Sequence, residues 1–171
     1  MRRRRSRPTP ESTERAATRL PHTDPVIRLG TPADLAALAD VYRSASLSNP
    51  GDRDRLLAHP EHLVLEPEGL AEGRTHVAEE DGVVVGFATW AETDGGMELE
   101  DLFVDPKWMR RGIATALVSC VADLLRSRGA DTLEVTASPD ALEFYRAVGF
   151  VDIGVTETAF GPAPQLLLRL R

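Results

Sequence analysis

The sequence predicts an α/β domain in which helices flank a single mixed, mostly antiparallel central sheet. Two observations predict this class: β-rich segments alternate with short turn signals in the middle of the chain, and segments with a helical apolar stripe separate the later strands. A composition of 42% hydrophobic and 27% charged residues in a chain of 171 is typical of a globular domain. No apolar run approaches the ~20 residues that a membrane-spanning helix needs. With a single cysteine, Cys120, that cannot form an internal disulfide, we expect a cytoplasmic protein without a membrane partner.

The first 25 residues differ from the rest in charge. They carry seven arginines and three acidic residues, a net charge of +4, so the remainder carries −11 of a total of −7. Four prolines and no repeating apolar face predict a disordered Arg-rich N-terminal arm over residues 1–25 and a folded domain over residues 26–171. The clustered arginines leave two interpretations: a solvated tail, which composition favours, or an anchor for nucleic acid or membrane.

The first elements of the domain are a strand and a helix. Val26–Leu29 is predicted as the strand, and Thr31-Pro32-Ala33-Asp34 supplies an N-cap, a proline at the first helical position and a capping acid. The helix is expected to end near Ala45, and Asp52–His59 is expected to form a second, short one. The proline-punctuated stretch that follows, to about Gly73, carries no clear pattern.

The middle of the chain predicts a three-stranded meander. Strands are expected at Thr75–Glu79, Val83–Ala91 and Met97–Val104, because turn residues separate these β-rich runs. The second strand is apolar on both faces, which indicates a central position covered on both sides.

The C-terminal half alternates helices and strands. Apolar residues on one stripe predict a helix over Gly112–Arg128. A strand at Thr132–Thr136, a helix at Pro139–Ala147 and strands at Phe150–Val155 and Leu166–Leu170 complete the order.

The chemistry is expected where the third meander strand meets the long helix. The run Leu99 to Ala114 passes from a strand through a loop into a helix that opens at Gly112, so unpaired backbone N–H groups and the positive end of the helix dipole converge there. Lys107, Arg110 and Arg111 add local positive charge within an acidic domain. These features predict an anion site.

A second motif, Ala141-Leu142-Glu143-Phe144-Tyr145-Arg146-Ala147-Val148-Gly149-Phe150, narrows the interpretation. Together the two segments resemble the GNAT superfamily of N-acetyltransferases, whose acetyl-CoA loop reads Gln/Arg-x-x-Gly-x-Gly/Ala and whose later segment reads Asn-x-x-Ala-x-x-Phe-Tyr-x-x-x-Gly-Phe. The resemblance implies that acetyl-CoA is the acyl donor. Met109 stands at the Gln/Arg position, which leaves the backbone amides in place, and Ser138 stands at the Asn position.

The resemblance also implies a set of donor-binding residues. They come from the end of the meander strand, the loop, the opening of the long helix and the later motif. They are Leu102, Phe103, Val104, Met109, Arg110, Arg111, Gly112, Ile113, Ala114, Thr115, Ser138, Phe144 and Tyr145. No Cys/His cluster with metal-ligand spacing is present, so no metal is expected.

Catalytic roles are expected on the same elements. The resemblance places the hydroxyl of Tyr145 near the thioester sulfur, where it would donate to the departing thiolate. Glu98 and Glu100 are candidate bases for the amine, because they alternate onto one strand face if no bulge intervenes. Asp101 would then face the other side, unless a bulge reverses the order. The oxyanion donor is expected to be a backbone N–H near Phe103.

The function that follows is transfer of acetyl from acetyl-CoA to the amine of a small molecule or peptide, by direct attack in a ternary complex. The acidic domain favours a cationic acceptor, and the Gly161-Pro162-Ala163-Pro164 turn is expected near its pocket. Two alternatives are an enzyme that uses a longer acyl-CoA and a non-catalytic acyl-CoA sensor whose basic arm contacts nucleic acid. The strand edges of such a sheet are compatible with a homodimer.

Overall fold

The computed structural model describes residues 24–158 and 161–171, so the expected disordered arm lies almost entirely outside the described residues. These residues form a seven-stranded sheet in the order β1-β2-β3-β4-β5-β7-β6. The strands are β1 (Val26–Leu29), β2 (Thr75–Glu80), β3 (Val83–Thr93), β4 (Gly96–Val104), β5 (Thr132–Thr136), β6 (Val151–Thr158) and β7 (Gly161–Arg169). The predicted mixed, mostly antiparallel sheet is confirmed, because only the β4–β5 pair is parallel.

Helices lie on both faces of the sheet. They are α1 (Leu35–Ser46), α2 (Pro50–Ala58), α3 (Glu68–Ala71), α4 (Ile113–Ser127) and α5 (Leu142–Ala147). Short 3₁₀ turns precede α1 at Pro32–Asp34 and α5 at Pro139–Ala141. The stretch without a clear sequence pattern contains a further 3₁₀ turn, Pro60–Leu63, and α3, whose apolar contacts come from Leu63 and Leu70.

Each face of the sheet has its own apolar core. On one face, Leu38 and Val41 of α1 pack with Val77 and Phe87. On the other face, α4 contributes the larger core, with Leu117 and its neighbours buried against β2, β3 and β4, and α5 packs beside it. The stripe predicted for the long helix therefore faces the sheet. The two faces are called below the α1 face and the α4 face.

One prediction near the C-terminus is wrong. Gly161-Pro162-Ala163-Pro164 is the first part of β7 and not a turn. Pro162 and Pro164 pair with Glu157 and Val155 of β6, while β5 pairs only with residues from Gln165 onward. Proline has no backbone N–H to donate to a neighbouring strand. Because β5 does not pair with Pro162 or Pro164, no donor is needed from these residues on that side of β7. The strands β6 and β7 are consequently longer than Phe150–Val155 and Leu166–Leu170.

Candidate active site

Strands β4 and β5 are joined at one end and separate at the other. Within the described chain their register pairs only Met97 with Leu133 and Glu98 with Glu134. The β3–β4 register shifts immediately afterwards, since Trp90 is opposite Leu99 while Thr89 is opposite Asp101, which leaves Glu100 as an extra residue in β4. Such a bulge bends the strand and increases its twist. The result is a gap between β4 and β5 that opens toward their C-terminal ends.

A cavity of about 560 Å³ lies beside this gap on the α4 face. Its walls come from the end of β4, the loop before α4, the first turn of α4 and the region of α5. The lining residues are Leu102, Val104, Trp108, Met109, Arg110, Gly112, Ile113, Ala114, Thr115, Asp140, Ala141, Glu143, Phe144 and Tyr145. The structure thus brings most of the expected donor-binding residues together around one space.

Three expected residues do not line this cavity. Phe103 faces the α1 face, where its ring lies 4.8 Å from that of Tyr42. The guanidinium of Arg111 lies over the Trp108 ring, 4.6 Å from its centroid. Ser138 is exposed and precedes the 3₁₀ turn without a side-chain capping bond. Sequence reasoning omitted Trp108, Asp140, Ala141 and Glu143; of these, only Ala141 stands at a defined position of the family motif.

The loop before α4 has a backbone suited to anions. Arg110 has φ of +62° and Gly112 has φ of +80°, so two nearly adjacent residues are in the left-handed region. The Asp105 carboxylate accepts from the Lys107 N–H at 2.8 Å and fixes the start of the loop. The first N–H groups of α4 have no carbonyl partner inside the helix. The loop and the helix end therefore present donors to the cavity, as the sequence predicts.

Tyr145 occupies the wall between the cavity and the core. Its side chain is only 7% exposed and its ring contacts Phe144 and Phe150 at centroid distances of 5.2 and 5.3 Å. Burial, with a smaller contribution from the negative charge of Asp101, raises the pKa of Tyr145 to about 12. The phenol is consequently a proton-bearing group at every physiological pH.

The bulge decides where the carboxylates of β4 point. Because Glu100 is the extra residue, Glu98 and Asp101 lie on the α1 face, opposite the side taken by Leu99 and Leu102. The simple alternation that would pair Glu98 with Glu100 does not hold. Glu100 accepts a hydrogen bond from Arg74 at 3.0 Å, and Glu98 lies 3.4 Å from the Thr136 hydroxyl.

Asp101, which the sequence places on the opposite side unless a bulge intervenes, lies on the α1 face two residues before Phe103, whose ring contacts Tyr42. Burial raises the pKa of Asp101, and the neighbouring Glu100 adds to the effect, while a hydrogen bond from Thr89 acts in the opposite direction. Burial also raises the pKa of Tyr42 and of Tyr145, and the charge of Asp101 adds a smaller contribution to both. Asp101 is therefore within electrostatic range of a tyrosine on each face of the sheet.

The Thr89 hydroxyl that holds Asp101 is itself supported. It lies 3.0 Å from the hydroxyl of Thr75, and both threonines are buried in the sheet. A signal for the orientation of Asp101 was present in the sequence. Apolar residues at 99, 102 and 104 break the period of two between Leu99 and Leu102, and a bulge produces that pattern.

The residues that the structure describes contain no group of three or more His, Cys, Asp or Glu side chains arranged to hold a metal ion. No helix among them is long and apolar enough to cross a membrane.

Comparison with known proteins decides the family. A model of the acetyltransferase (GNAT) family matches residues 38–150. This chain belongs to that family. Among curated proteins, the mycothiol acetyltransferase of Clavibacter sepedonicus is 39% identical over 79 residues, which cover 44% of this chain and 26% of that protein. An uncharacterized N-acetyltransferase of Methanocaldococcus jannaschii is 33% identical over 84 residues, 43% of this chain and 37% of that protein. This chain thus matches only about a quarter to a third of the length of these relatives.

Solved structures confirm the GNAT fold. The PaiA N-acetyltransferase of Thermoplasma acidophilum, in complex with coenzyme A, superimposes with a TM-score of 0.67 at 16% identity, covering 86% of this chain and 99% of that one. The structure of YncA of Salmonella typhimurium with its cofactor acetyl-CoA gives a TM-score of 0.64 at 23% identity over 87% and 95% of the two chains.

Proposed function

We propose that this member of the GNAT family transfers the acetyl group of acetyl-CoA to the amine of a cationic acceptor, by direct attack within a ternary complex. The observation that carries the proposal is the position of Asp101. It lies on the α1 face, just beyond the point where β4 separates from β5, and its charge acts on Tyr145, a proton-bearing group in the wall of a cavity suited to an acyl-CoA.

The chain offers what the donor substrate requires. Pyrophosphate is a polyanion, and the left-handed loop at Arg110 and Gly112 offers it backbone donors and the basic residue Arg110. Met109 in place of a polar residue leaves these amides unchanged. The pantetheine arm is apolar and amide-rich, which suits a wall of Leu102, Val104 and Phe144 next to a strand edge with unpaired backbone groups.

Asp101 is the best placed of the three carboxylates to accept a proton from the attacking amine. An ammonium has no lone pair, so the acceptor must lose a proton before its nitrogen attacks the carbonyl carbon. A raised pKa brings a carboxylate nearer to that of a useful base, and burial of Asp101 raises its pKa. Glu100 accepts a hydrogen bond from Arg74, and Glu98 lies earlier in β4, beside Thr136. These two side chains are better suited to attract and orient the acceptor.

Tyr145 is proposed to stabilise the leaving group. As the new C–N bond forms and the C–S bond breaks, negative charge passes to the carbonyl oxygen and then to the CoA sulfur. A backbone N–H near Phe103, on the side of β4 that faces the gap, is proposed to hold the oxygen. The Tyr145 hydroxyl, on the cavity wall, would donate a hydrogen bond to the sulfur.

The acceptor is expected to be cationic because several carboxylates lie on the face of the sheet from which it would approach. Glu98 and Glu134 are direct partners in the parallel β4–β5 register, so two like charges project from neighbouring strands on one face. Such a pair is unfavourable unless a cation lies over it. Asp101 continues this acidic row along β4.

Two measurements test the proposal. Calorimetric titration with acetyl-CoA measures donor binding, and CoA release is then followed over a panel of amines that includes diamines, aminosugars and peptides. Wild type is compared with Asp101→Asn and with Asp94→Asn, a matched control in the exposed turn between β3 and β4. We expect binding of acetyl-CoA by all three and strongly reduced release only for Asp101→Asn. Binding without release from any amine would contradict the enzymatic assignment, and absence of binding would contradict the donor site.

A further inference from the structure

A side chain outside the family motifs connects the two sides of the gap. The amide nitrogen of Asn49 donates to the carboxylate of Asp140 at 2.7 Å and to that of Asp52 at 3.0 Å. Its carbonyl oxygen accepts from the Gly51 N–H at 2.9 Å, which makes Asn49 the N-cap of α2. All the hydrogen-bonding atoms of this side chain are therefore in use, and one bond joins residues 91 positions apart.

The Asn49–Asp140 hydrogen bond, called the strap below, passes from one face of the sheet to the other. α2 packs on α1, which covers the α1 face, whereas Asp140 belongs to the 3₁₀ turn that leads into α5 on the α4 face. That turn follows directly after the C-terminal end of β5. Since β4 and β5 separate toward that end, the strap crosses the open end of the gap.

The strap connects the walls of the two proposed substrate sites. Asp140 lines the cavity assigned to the acyl donor and lies five residues before Tyr145. Asn49 caps the helix that packs on α1, whose Tyr42 contacts Phe103 on the same face as Asp101, the side assigned to the acceptor. The Asn49–Asp140 hydrogen bond is exposed to solvent, so water competes for both partners. The bond therefore forms only when the two walls hold Asn49 and Asp140 at the right distance.

We infer that Asn49 is a positioning residue, which holds the acceptor-side helices in register with the donor-side wall and so couples acetyl-CoA binding to the acceptor site. The inference rests on the proposed function for the identity of the two sites. It assigns to Asn49 and Asp140 no contact with the reacting atoms.

The cap and the strap can be separated by substitution. Asn49→Ser keeps an N-cap residue, because a serine hydroxyl accepts from the first turn of a helix, but it is too short to reach Asp140. Asp140→Ala removes the strap and leaves the cap intact. Asp140→Asn keeps an oxygen that accepts from the Asn49 amide while removing the charge.

The first readout is hydrogen exchange of the α2 amides with and without acetyl-CoA. In wild type and Asp140→Asn, acetyl-CoA is expected to slow exchange across Pro50–Ala58, although the donor cavity includes no residue of that helix. In Asn49→Ser and Asp140→Ala this slowing is expected to disappear. If Asn49 acted only as the N-cap of α2, both Asn49→Ser and Asp140→Ala would retain the slowing of exchange by acetyl-CoA, because both variants keep a capping residue at position 49.

The second readout is steady-state kinetics with an amine found in the panel described above. Loss of the strap is expected to raise the KM of the acceptor about 3- to 10-fold, the scale of an ordinary hydrogen bond that is exposed to water, with a smaller change in kcat. Because both single variants break the same bond, the Asn49→Ser/Asp140→Ala double variant is expected to be no worse than either one. Additive effects would overturn the inference.

Failure of the inference is distinguishable from failure of the proposed function. If acetyl-CoA binds to wild type without altering hydrogen exchange in α2, the inference about the strap is wrong, whereas the proposed donor site is still supported. Altered exchange without turnover of any amine supports the strap and contradicts the transferase assignment. Absence of acetyl-CoA binding overturns both.

Discussion

Replacing Tyr145 by phenylalanine tests what the buried hydroxyl contributes. The structure raises the pKa of this phenol to about 12, chiefly by burial. A thiol has a pKa of about 8.5, so complete proton transfer from Tyr145 to the CoA thiolate would be uphill by about 5 kcal/mol. The phenol is therefore expected to act by donating a hydrogen bond, and the sulfur is expected to leave as a thiolate that takes its proton later from water.

The expected loss follows from that role. A hydrogen bond to a charged group contributes about 1.5–3 kcal/mol, which corresponds to about a 10- to 150-fold decrease in kcat for Tyr145→Phe. The fold should be retained, because phenylalanine fills the same place between Phe144 and Phe150. The affinity for acetyl-CoA should change little, since the hydroxyl is assigned to a charge that develops only during the reaction.

The assay is CoA release monitored with a thiol reagent across pH, together with calorimetry for acetyl-CoA binding. The raised pKa keeps Tyr145 protonated well past pH 10, so no decrease of kcat from this group is expected below that pH. A basic limb near pH 9 that Tyr145→Phe abolishes would refute the reasoning, because it would show that the phenol ionises in the working range. An unchanged kcat would remove the hydroxyl from the mechanism.

Three further predictions address the base, the loop and the fold. Asp101→Asn should lower kcat about 100-fold or more, and the acid limb of the pH–rate profile, which the raised pKa of Asp101 places above the usual carboxyl range, should disappear. Arg110→Gly should raise Tm, because glycine relieves a left-handed φ that costs about 1 kcal/mol. The same variant should lower the affinity for acetyl-CoA about 2- to 5-fold in calorimetry, because a positive charge is lost. Arg110→Ala should lower the affinity equally without the gain in Tm. Burial, aided by the charge of Arg128, lowers the pKa of His76 in the folded protein. The neutral side chain therefore contributes fully to the free energy of unfolding above about pH 6.5, the pKa of histidine in the unfolded chain. This contribution is lost as the pH falls below that pKa. Chemical denaturation between pH 7 and 5 should show a smaller loss for His76→Leu than for wild type, and an equal loss would contradict the assignment.

Local patterns in the sequence predict most of the fold. The meander strands and α4 lie close to their predicted bounds, because turn residues and an apolar stripe specify them without reference to the rest of the chain. The proline-containing start of β7 could not be predicted in the same way. Pro162 and Pro164 indicate a turn when considered alone, and only the pairing shows that β5 ends before it reaches them.

The donor side of the site is predicted better than the acceptor side, for a physical reason. Donor binding depends on a contiguous strand, loop and helix, and most of the residues chosen from Leu102 to Thr115 line one cavity. The acceptor side depends on which way single side chains of β4 point, and one extra residue reverses that orientation. Asp101, and not Glu100, is consequently the carboxylate that shares the α1 face with Glu98.

One irregularity in β4 accounts for both the shape and the chemistry of the site. The pairing of β4 with β5 ends at Glu98, and the extra residue, Glu100, follows two positions later, so the bend begins where the gap opens. The same insertion turns Asp101 away from the α4 core and toward the gap. A strand without the extra residue would continue its ladder with β5 and close the space. Deleting Glu100 should therefore remove donor binding and turnover together, whereas Glu100→Ala, which keeps the bulge, should retain acetyl-CoA binding in the same calorimetric titration.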